Sequence, residues 1–161
     1  MKPSNENIAL QFALTQFNAE YAAALDGGSY DLWPEYFTEE CLYQVMPKEN
    51  YDLGLPIALI HCESKGMLKD RVNAVKDTVM AEPRSMRHFV TNTRVVRQED
   101  GVIYSESNVL LVETMIDRMT EVVLSGRFVD QFVTVDDRLL LKQRICVTDT
   151  LLIPTSLVVP V

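Results

Sequence analysis

The sequence is poor in the residues from which metal centres are built. It has two histidines and three cysteines among 161 residues, with neither CxxC nor HExxH spacing, so no zinc site is predicted. A Rieske iron–sulfur centre needs two cysteines that each lie close to a histidine, whereas Cys62 has such a neighbour but Cys41 and Cys146 do not. His61, His88 and one acid would just suffice for mononuclear iron, but no ligand spacing supports that site.

Motifs of other common enzyme classes are also missing. The sequence has no GxGxxG or GxxxxGK[ST] loop for a nucleotide and no GxSxG nucleophile elbow. The formal net charge of −8 disfavours nucleic acid as a partner, because phosphate contacts need clustered lysine and arginine. Neither a membrane-spanning apolar run nor a signal peptide is found. We therefore expect a cytoplasmic protein with three reduced thiols.

The first half of the chain has the periodicity of helices. A first helix is predicted from an N-cap at Ser4 to the stop signal at residues 26–28, and a short second helix over residues 30–37 with Ser29 or Asp31 as its cap. A strand is predicted at 41–46. The first and third helices would each present apolar residues at helical spacing: Ile8, Phe12, Phe17, Tyr21 and Ala24 in the first, and Met67, Leu68, Val72, Val75 and Val79 in the third.

From residue 87 onward the pattern changes to the alternation typical of strands. Asp100-Gly101 and Asp136-Asp137 are turn signals between such runs. Helices followed by a long curved meander predict one α+β domain, residues 1–161, with the helices packed into the concave face of an antiparallel sheet. The strand-like runs are residues 87–98, 102–116, 120–135 and 138–149.

The residues of the third run fall on two alternating faces. Leu124, Phe128, Asp130 and Phe132 alternate on one face together with Gly126. A glycine in the middle of a strand is typical of a bulge or bend. We therefore predict that Gly126 curves the sheet at a bulge or bend.

His88 is the candidate catalytic group. Arg87 would lie on the opposite face of the same strand, because successive side chains alternate. With an ordinary pKa near 6.5, the imidazole could move a proton if an acid such as Asp31 or Asp70 oriented it. The alternative, which residue chemistry alone favours, is a buried histidine hydrogen-bonded between the sheet and the third helix, since an unbonded buried polar group costs about 1–3 kcal/mol.

Blocks spread along the chain carry a family resemblance: "LDGGSYDLWPEYFTEECLYQV", "ENYDLGLPIALIHCESKGMLKDRVNAV", "RSMRHFVTN", "SGRFVDQFV" and "LLLKQRICVTDTLLIPTSLVVPV". In this order they resemble the small (beta) subunit of Rieske-type aromatic-ring-hydroxylating oxygenases, from about residue 8 to the end of the sequence. The matching positions are Trp33, Phe37, Tyr43, Asn50, Met67, Asp70, Arg71, Arg87, His88, Gly126, Asp130, Arg144 and Asp149.

The resemblance implies a cone-shaped fold shared with nuclear transport factor 2, ketosteroid isomerase and scytalone dehydratase. It implies that this chain has no catalytic, cofactor-binding or metal-binding residues and supports a larger alpha subunit, as three alpha and three beta chains. The Rieske 2Fe–2S cluster and mononuclear iron would lie on the alpha subunit, with electrons from NAD(P)H through a reductase and sometimes a ferredoxin. The holoenzyme would use dioxygen to monohydroxylate or cis-dihydroxylate an aromatic ring.

Two segments place the chain nearest one branch of that family. "KENYDLGLPIALI" and "GMLKDRV" resemble the subunits of enzymes that act on aromatic carboxylates: salicylate 5-hydroxylase and the terephthalate, anthranilate and benzoate dioxygenases. The resemblance also makes several polar or aromatic residues structural or interface candidates. They are Trp33, Asp70, Arg71, Arg87, His88, Arg144 and Asp149.

Charges of both signs among these candidates, near the seam of sheet and helix, would form a paired network. Residues 151–161 carry no charged side chain, and Pro154 and Pro160 prevent a continuous helix. This tail is expected either to meet another subunit or to tuck into its own domain.

Two other functions remain open at the level of sequence. One is a stand-alone isomerase, dehydratase or cyclase that uses His88 with an inward acid, and the other is a small-ligand binding module. An open polar pocket with His88 facing inward would favour the enzyme. A cone filled with side chains, together with a large exposed apolar patch, would favour the subunit.

Overall fold

The computed structural model describes residues 5–77, 84–150, 152, 157 and 159–161. The predicted N-cap Ser4, the helix residue Val79 and the tail residue Pro154 lie outside these ranges. The elements follow in the order α1 (Asn5–Asp26), a 3₁₀ helix (Tyr30–Tyr36), β1 (Phe37–Pro47), α2 (Lys48–Asp52), β2 (Ile60–Cys62), α3 (Lys65–Asp77), β3 (Arg84–Glu99), β4 (Val102–Met115), β5 (Glu121–Val135) and β6 (Arg138–Thr148).

The strands form a six-stranded sheet in the order β2-β1-β6-β5-β4-β3. Strands β3 to β6 are the predicted antiparallel meander, which is confirmed. β1 pairs in parallel with β6, and β2 pairs with β1 in antiparallel fashion. The pairing of β1 with β6, together with α2 and β2, was not predicted, because no local pattern reveals a partner about a hundred residues away and β2 has only three residues.

The tight turns of the meander follow from their residues. Asp100 and Gly101 have φ of 50° and 77°, and Asp136 and Asp137 have φ of 49° and 59°. Positive φ at both central positions defines the turn whose twist matches that of the strands it joins. Aspartate and glycine tolerate this conformation better than most residues, which explains the registers that these turns impose.

The apolar faces of the helices differ in part from those predicted. In α1, Phe17 and Tyr21 are buried, but Ile8 and Phe12 are 52% and 64% exposed. In α3 the predicted Leu68, Val72 and Val75 are buried, whereas Met67 is 42% exposed. The inclusion of Ile8, Phe12 and Met67 was wrong, because the buried stripes begin at Leu14 in α1 and at Leu68 in α3. The 3₁₀ helix starts after Ser29, whose side chain makes no capping hydrogen bond.

Gly126 has a role other than the one predicted. The ladder runs without a shift across it, to Val109 on one side and Thr148 on the other, so the prediction of a bulge there was wrong. A Cβ atom at this position would lie 2.2 Å from the backbone oxygen of Val147. The strand therefore needs glycine because the neighbouring backbone approaches too closely for any side chain.

The core lies between the helices and the concave face of the sheet. Leu124, Phe128, Asp130 and Phe132, which strand alternation groups on one face of β5, are all buried there. Which of the two faces is inward was not predicted. A smaller cluster on the opposite face of the sheet is covered by the segment that follows β1. That cluster contains Met46, Ile145 and Val147, with Tyr51, Ala58 and Val129 packed against it.

Candidate functional site

The interior of the curved sheet is filled by aromatic side chains and by residues near the end of the sequence. Trp33, an interface candidate, is instead fully buried and donates a 2.8 Å hydrogen bond from Nε1 to the Tyr21 hydroxyl. Its ring meets that of Tyr43 edge to face, with centroids 4.9 Å apart. The hydroxyls of Tyr21 and Tyr43 donate to the backbone oxygen of Val161 at 2.9 and 3.2 Å, and the Val161 N–H donates to Tyr43 at 2.9 Å.

A fully buried ion pair lies beside these aromatic residues. The Arg144 guanidinium donates to both carboxylate oxygens of Asp130, at 3.0 and 2.8 Å, and both side chains have zero exposure. Arg144 also donates to the amide oxygen of Asn18 at 2.6 Å. The guanidinium lies 4.2 Å from the ring centroid of Tyr21 and 4.1 Å from that of Phe128. The pair thus joins β5, β6 and α1.

Burial and pairing act in opposite directions on these two groups. Burial raises the pKa of the Asp130 carboxyl, against the attraction of Arg144. Burial lowers the pKa of the Arg144 guanidinium, but Asp130 outweighs it, so this pKa lies above its ordinary value. The guanidinium keeps its proton in proteins, and its two N–H groups match the carboxylate. The charged, bidentate pair is therefore the form that fits the observed contacts, although the buried Nη1 atom of Arg144 has no hydrogen-bond partner among the described residues.

A second buried pair joins α1 to β3. Asp26, the last residue of α1, lies 2.7 Å from Nδ1 of His88 through its Oδ1 atom. The backbone N–H of His88 also donates to this carboxylate, at 3.0 and 3.2 Å. The His88 side chain is fully shielded, and that of Asp26 is 10% exposed. This position agrees with the predicted anchoring role, although the bond leads to α1 and not to α3.

The environment of His88 keeps its ring neutral. Burial lowers the pKa of the imidazole, and the hydrogen bond and charge of Asp26 oppose this shift only in part. A neutral ring with Nδ1–H donating to Asp26 satisfies the observed geometry. Its Nε2 atom is shielded from solvent. The ring is therefore arranged as a structural tie, because its Nδ1 is already bonded and its Nε2 is enclosed.

Two further side chains of α1 bind β3, which is an edge strand. The side-chain amide of Gln11 donates to the backbone oxygen of Thr93 and accepts from the N–H of Val95 at 3.3 Å. Asn18 donates to the hydroxyl of Thr93 at 3.2 Å. The strand register shifts here, which frees backbone groups from the ladder. Because free groups on an edge strand need partners, α1 completes the sheet on this side.

The other predicted site residues lie apart from one another. Asp31 binds Lys76 at 2.6 and 2.7 Å, and Asp70 is exposed, so the prediction that either orients His88 was wrong. Arg87 is exposed on the opposite side of β3 from His88, as strand alternation requires.

The remaining candidates also take separate positions. Arg71 donates to the backbone oxygen of Leu157 at 2.8 Å. Asp149 is exposed and accepts from the Ser125 hydroxyl at 3.0 Å. The predicted single network is therefore two separate buried pairs, Asp130–Arg144 and Asp26–His88. Different strands carry them, and α1 contacts both through Asn18 and Asp26.

Sequence reasoning missed two residues that bind the buried side chains of the site. Asp26 was interpreted as part of a helix stop signal, and its link to a strand 62 residues away has no local signature. Asn18 interrupts the apolar stripe between Leu14 and Tyr21. A polar residue in such a stripe signals a buried hydrogen-bonding partner, so Asn18 could have been found.

The thiols and the second histidine do not form a metal centre. Cys41, Cys62 and Cys146 are buried and free, and burial raises the pKa of Cys41 to about 11 and that of Cys146 to about 12. His61 contacts Gln44 at 2.7 Å and Glu63 at 2.8 Å. Among the described residues, no three or more His, Cys, Asp or Glu side chains lie where they could hold a metal ion. Nor does any helix in the described ranges combine the length and apolarity needed to cross a membrane.

Helices packed into the concave face of a curved six-stranded sheet define the cone fold of nuclear transport factor 2-like proteins. A solved structure described as a scytalone dehydratase from Novosphingobium aromaticivorans superimposes with a TM-score of 0.70. It is 18% identical, covering 89% of this chain and 87% of that one. At this identity the likeness shows the fold alone, and the predicted fold class is confirmed.

Sequence comparison identifies the family. The family described as "Ring hydroxylating beta subunit" matches residues 20–155, and the chain belongs to it. The anthranilate 1,2-dioxygenase small subunit of Burkholderia cepacia is 34% identical over 161 residues, the whole of both chains. The beta 2 subunit of the terminal oxygenase component of terephthalate 1,2-dioxygenase, from Comamonas sp, is 29% identical over 93% of this chain and 97% of its own.

A solved structure from the same family agrees with this assignment. The beta subunit of an aromatic-ring-hydroxylating dioxygenase, as the Novosphingobium aromaticivorans protein is described, has a TM-score of 0.85 and 36% identity, covering 94% of this chain and 95% of that one. The chain is thus a small beta subunit of the aromatic-ring-hydroxylating dioxygenase family. Membership implies an alpha-subunit partner, which in this family carries the cofactors.

Proposed function

We propose that this chain is a non-catalytic subunit that structurally supports an alpha subunit hydroxylating an aromatic carboxylate. The observation that carries the proposal is the filled interior of the cone, where Val161 lies against Tyr21 and Tyr43. In the same fold, His88, the side chain best suited to be a base, has no solvent exposure and is bonded to Asp26. Both observations favour a scaffold over a stand-alone isomerase, dehydratase or binding module.

The relatives support the finer parts of the proposal. The names of the two curated relatives contain anthranilate and terephthalate, both aromatic carboxylates, so we assign this chain to an oxygenase for that substrate class, salicylate included. The proposed assembly contains three alpha and three beta chains in the cytoplasm. Electrons from NAD(P)H reach the alpha subunit through a reductase, with or without a ferredoxin. The Rieske cluster and the mononuclear iron belong to the alpha chain.

The residues of this chain supply rigidity to that assembly. Asp26 and His88 join the end of α1 to β3, and Asp130 and Arg144 join β5 to β6. Asn18 links α1 to the Asp130–Arg144 pair by accepting a hydrogen bond from Arg144. A domain whose elements are joined by bidentate and buried hydrogen bonds has a rigid outer surface. Such a surface binds a partner without the entropic cost of ordering.

Native mass spectrometry of the chain, purified without dissociation from its own cells, tests the proposal. We expect a complex of three copies with three larger chains that contain iron and a 2Fe–2S cluster, and oxygen-dependent turnover of aromatic carboxylates. A lone monomer or homo-oligomer without an iron-containing companion would overturn the subunit assignment. A complex that turns over only uncharged aromatic compounds would overturn the substrate class alone.

A His88→Ala replacement separates the scaffold from the catalytic alternative. As a scaffold residue, His88 should affect the stability or yield of the complex, while each assembled complex keeps its turnover rate. His61→Ala is the matched control, since that side chain is 38% exposed and lies outside the interior. Normal assembly with abolished turnover in His88→Ala would show that the histidine takes part in the chemistry.

A further inference from the structure

An apolar loop protrudes from the outer face of the sheet between α2 and β2. Its four large apolar side chains are 41% to 66% exposed, and no charged residue occurs from position 53 to position 60. Exposed apolar residues that occur singly need no explanation, but a contiguous group marks an interaction site. We call this segment, residues 53–59, the apolar loop. Its exposed members are Leu53, Leu55, Ile57 and Leu59.

The apolar loop is held in one conformation by its own hydrogen bonds. The side-chain amide of Asn50 donates to the backbone oxygen of Ile57 at 3.0 Å. The backbone oxygen of Asn50 accepts from the N–H of Leu55 at 2.9 Å, and the N–H of Leu59 donates to Val45 in β1 at 2.7 Å. Beneath it, Ala58 packs on the outer apolar cluster of the sheet. The exposed side chains are therefore presented outward from a fixed support.

A groove of about 420 Å³ lies beside this loop, on the outer face of β3, β4 and β5. Its lining includes the apolar side chains of Phe89, which is 52% exposed, and Leu110, together with the polar Asn108 and Arg127. A second depression of about 480 Å³ reaches Leu53. The two hollows are neighbours, since they share the lining residues Lys48 and Asp149.

We infer that the apolar loop and this groove form one docking face, and that its occupant is the alpha subunit. The inference rests on the proposed function. The protruding loop fits a recess of the partner, while the groove fits a protruding segment of the partner that ends in an apolar side chain. Asp149, an interface candidate from the sequence, lies between the two features and so has a place in this face.

Charge favours the alpha subunit over a second copy of this chain. Each copy carries a formal net charge of −8, so two copies repel each other over long range. Glu49, Asp52 and Glu63 lie near the two ends of the apolar loop. The basic residues of the adjoining hollows are Lys48 and Arg127. Face-to-face copies would bring these carboxylates together. The complementary surface is an apolar recess bordered by lysine or arginine.

The exposed area also matches a shared interface. Four such side chains expose on the order of 400 Å² of mostly apolar surface, which is the size of patches that mark interaction sites. One partner in a standard interface contributes about 800 Å². The loop alone is smaller than that, so the docking face needs the groove as well. The apolar loop and the groove therefore both belong to the docking face.

The test introduces single mutations into the gene of the producing cells, each replacing one exposed residue. It measures how much alpha subunit copurifies with each variant chain. Ile57→Asp and Leu53→Asp place a charge on the loop, and Phe89→Asp places one in the groove. The control is Ile116→Asp, at an apolar side chain that is 85% exposed on the turn between β4 and β5. The alpha subunit is identified by its peptide sequence and its iron–sulfur absorbance.

We expect each docking-face variant to lose at least tenfold in retained alpha subunit, while the control keeps the wild-type ratio. The thermal unfolding of all variants should stay close to that of the wild type, because the replaced side chains are exposed. If the wild type retains no alpha subunit, the proposed function fails. If the wild type and every variant retain the alpha subunit equally, the docking-face inference fails while the proposed function stands. If the variants lose self-association and not the alpha subunit, the occupant is a second copy of this chain, and the inference is also overturned.

Discussion

The Asp26 carboxylate accepts hydrogen bonds from both the imidazole and the backbone N–H of His88, at 2.7 and 3.0 Å. One side chain at the end of α1 therefore holds a residue of an edge strand by its main chain and its side chain together. The imidazole is fully buried in this arrangement. His88, the possible base of the sequence analysis, is thus held in position by the last residue of α1.

This pair predicts a specific pH dependence of stability. Burial lowers the pKa of His88 in the folded state, so in the unfolded state, with a pKa of about 6.5, the ring takes up a proton first as the pH falls. The contribution of His88 is complete above about pH 6.5 and is lost as the pH falls through the lowered pKa. Urea unfolding, followed by fluorescence of the single, buried Trp33, measures this loss.

His88→Asn is the matched variant for that measurement. Asparagine keeps a side-chain N–H donor for Asp26 but does not titrate. The free energy of unfolding of the wild type should therefore fall more steeply than that of the variant between about pH 7.5 and about pH 5.5. Equal pH dependence in both proteins would show that His88 has the same pKa in the folded and unfolded states.

The buried ion pair predicts a strongly non-additive mutant cycle. Arg144→Met leaves the carboxylate of Asp130 buried without its cation, which should cost about 3–5 kcal/mol of unfolding free energy. Adding Asp130→Leu should recover much of this loss, because the buried charge is then removed. Chemical denaturation of the two single variants and the double variant measures the coupling.

A surface pair provides the control for that cycle. Arg94 and Glu106 lie 2.6 Å apart, with side chains 67% and 31% exposed. Arg94→Met should change the free energy of unfolding by only about 0–1 kcal/mol. Similar losses for Arg94→Met and Arg144→Met would contradict the argument from burial.

Even an alanine side chain at position 126 is expected to lower the stability of the protein strongly. In Gly126→Ala the new Cβ would meet the Val147 oxygen at 2.2 Å, so two paired strands must separate, at a cost of about 3 kcal/mol or more. Gly66→Ala is the control, because its Cβ would lie 3.6 Å from Ser64 Oγ. That variant should keep wild-type stability or gain up to about 1 kcal/mol. Thermal unfolding compares them, and a folded Gly126→Ala at wild-type stability would refute the close-approach explanation.

The three thiols should be unreactive in the folded protein. Burial raises the pKa of Cys41 to about 11 and that of Cys146 to about 12, and it raises the pKa of Cys62 as well. Because the thiolate is the reactive form, Ellman's reagent at mildly alkaline pH should label the native chain slowly. All three cysteines should react once denaturant is added. Fast labelling of one thiol before unfolding would indicate that its strand opens locally.

Much of the second half of the fold could be predicted from alternation and turn chemistry. The grouping of residues on one face of β5 and the tight turns at Asp100 and Asp136 agree with the structure because each depends on neighbouring residues. The exposed positions of Ile8 and Phe12 could not be predicted, since helical spacing does not show where along a helix the packing begins.

The candidate site, too, was predictable only in part. Sequence reasoning selected His88 for its chemistry and Arg144 through the family resemblance, and it counted Asp130 among the positions that match the family. It assigned the wrong partners to His88, because Asp31 and Asp70 were chosen only as nearby acids in predicted helices. The true partner, Asp26, becomes adjacent only when α1 crosses the end of β3.

By itself the sequence determined the strand meander, its turns, the residues that share a face of β5 and the resemblance to ring-hydroxylating beta subunits, since all of these depend on local spacing or on blocks of residues in order. Tertiary structure alone decided the parallel pairing of β1 with β6 and the partners of both buried pairs. It also brought Val161 to the tyrosine hydroxyls and set the apolar loop beside the groove. The physical reason is that these contacts join residues far apart in the chain, and burial determines which polar groups must meet.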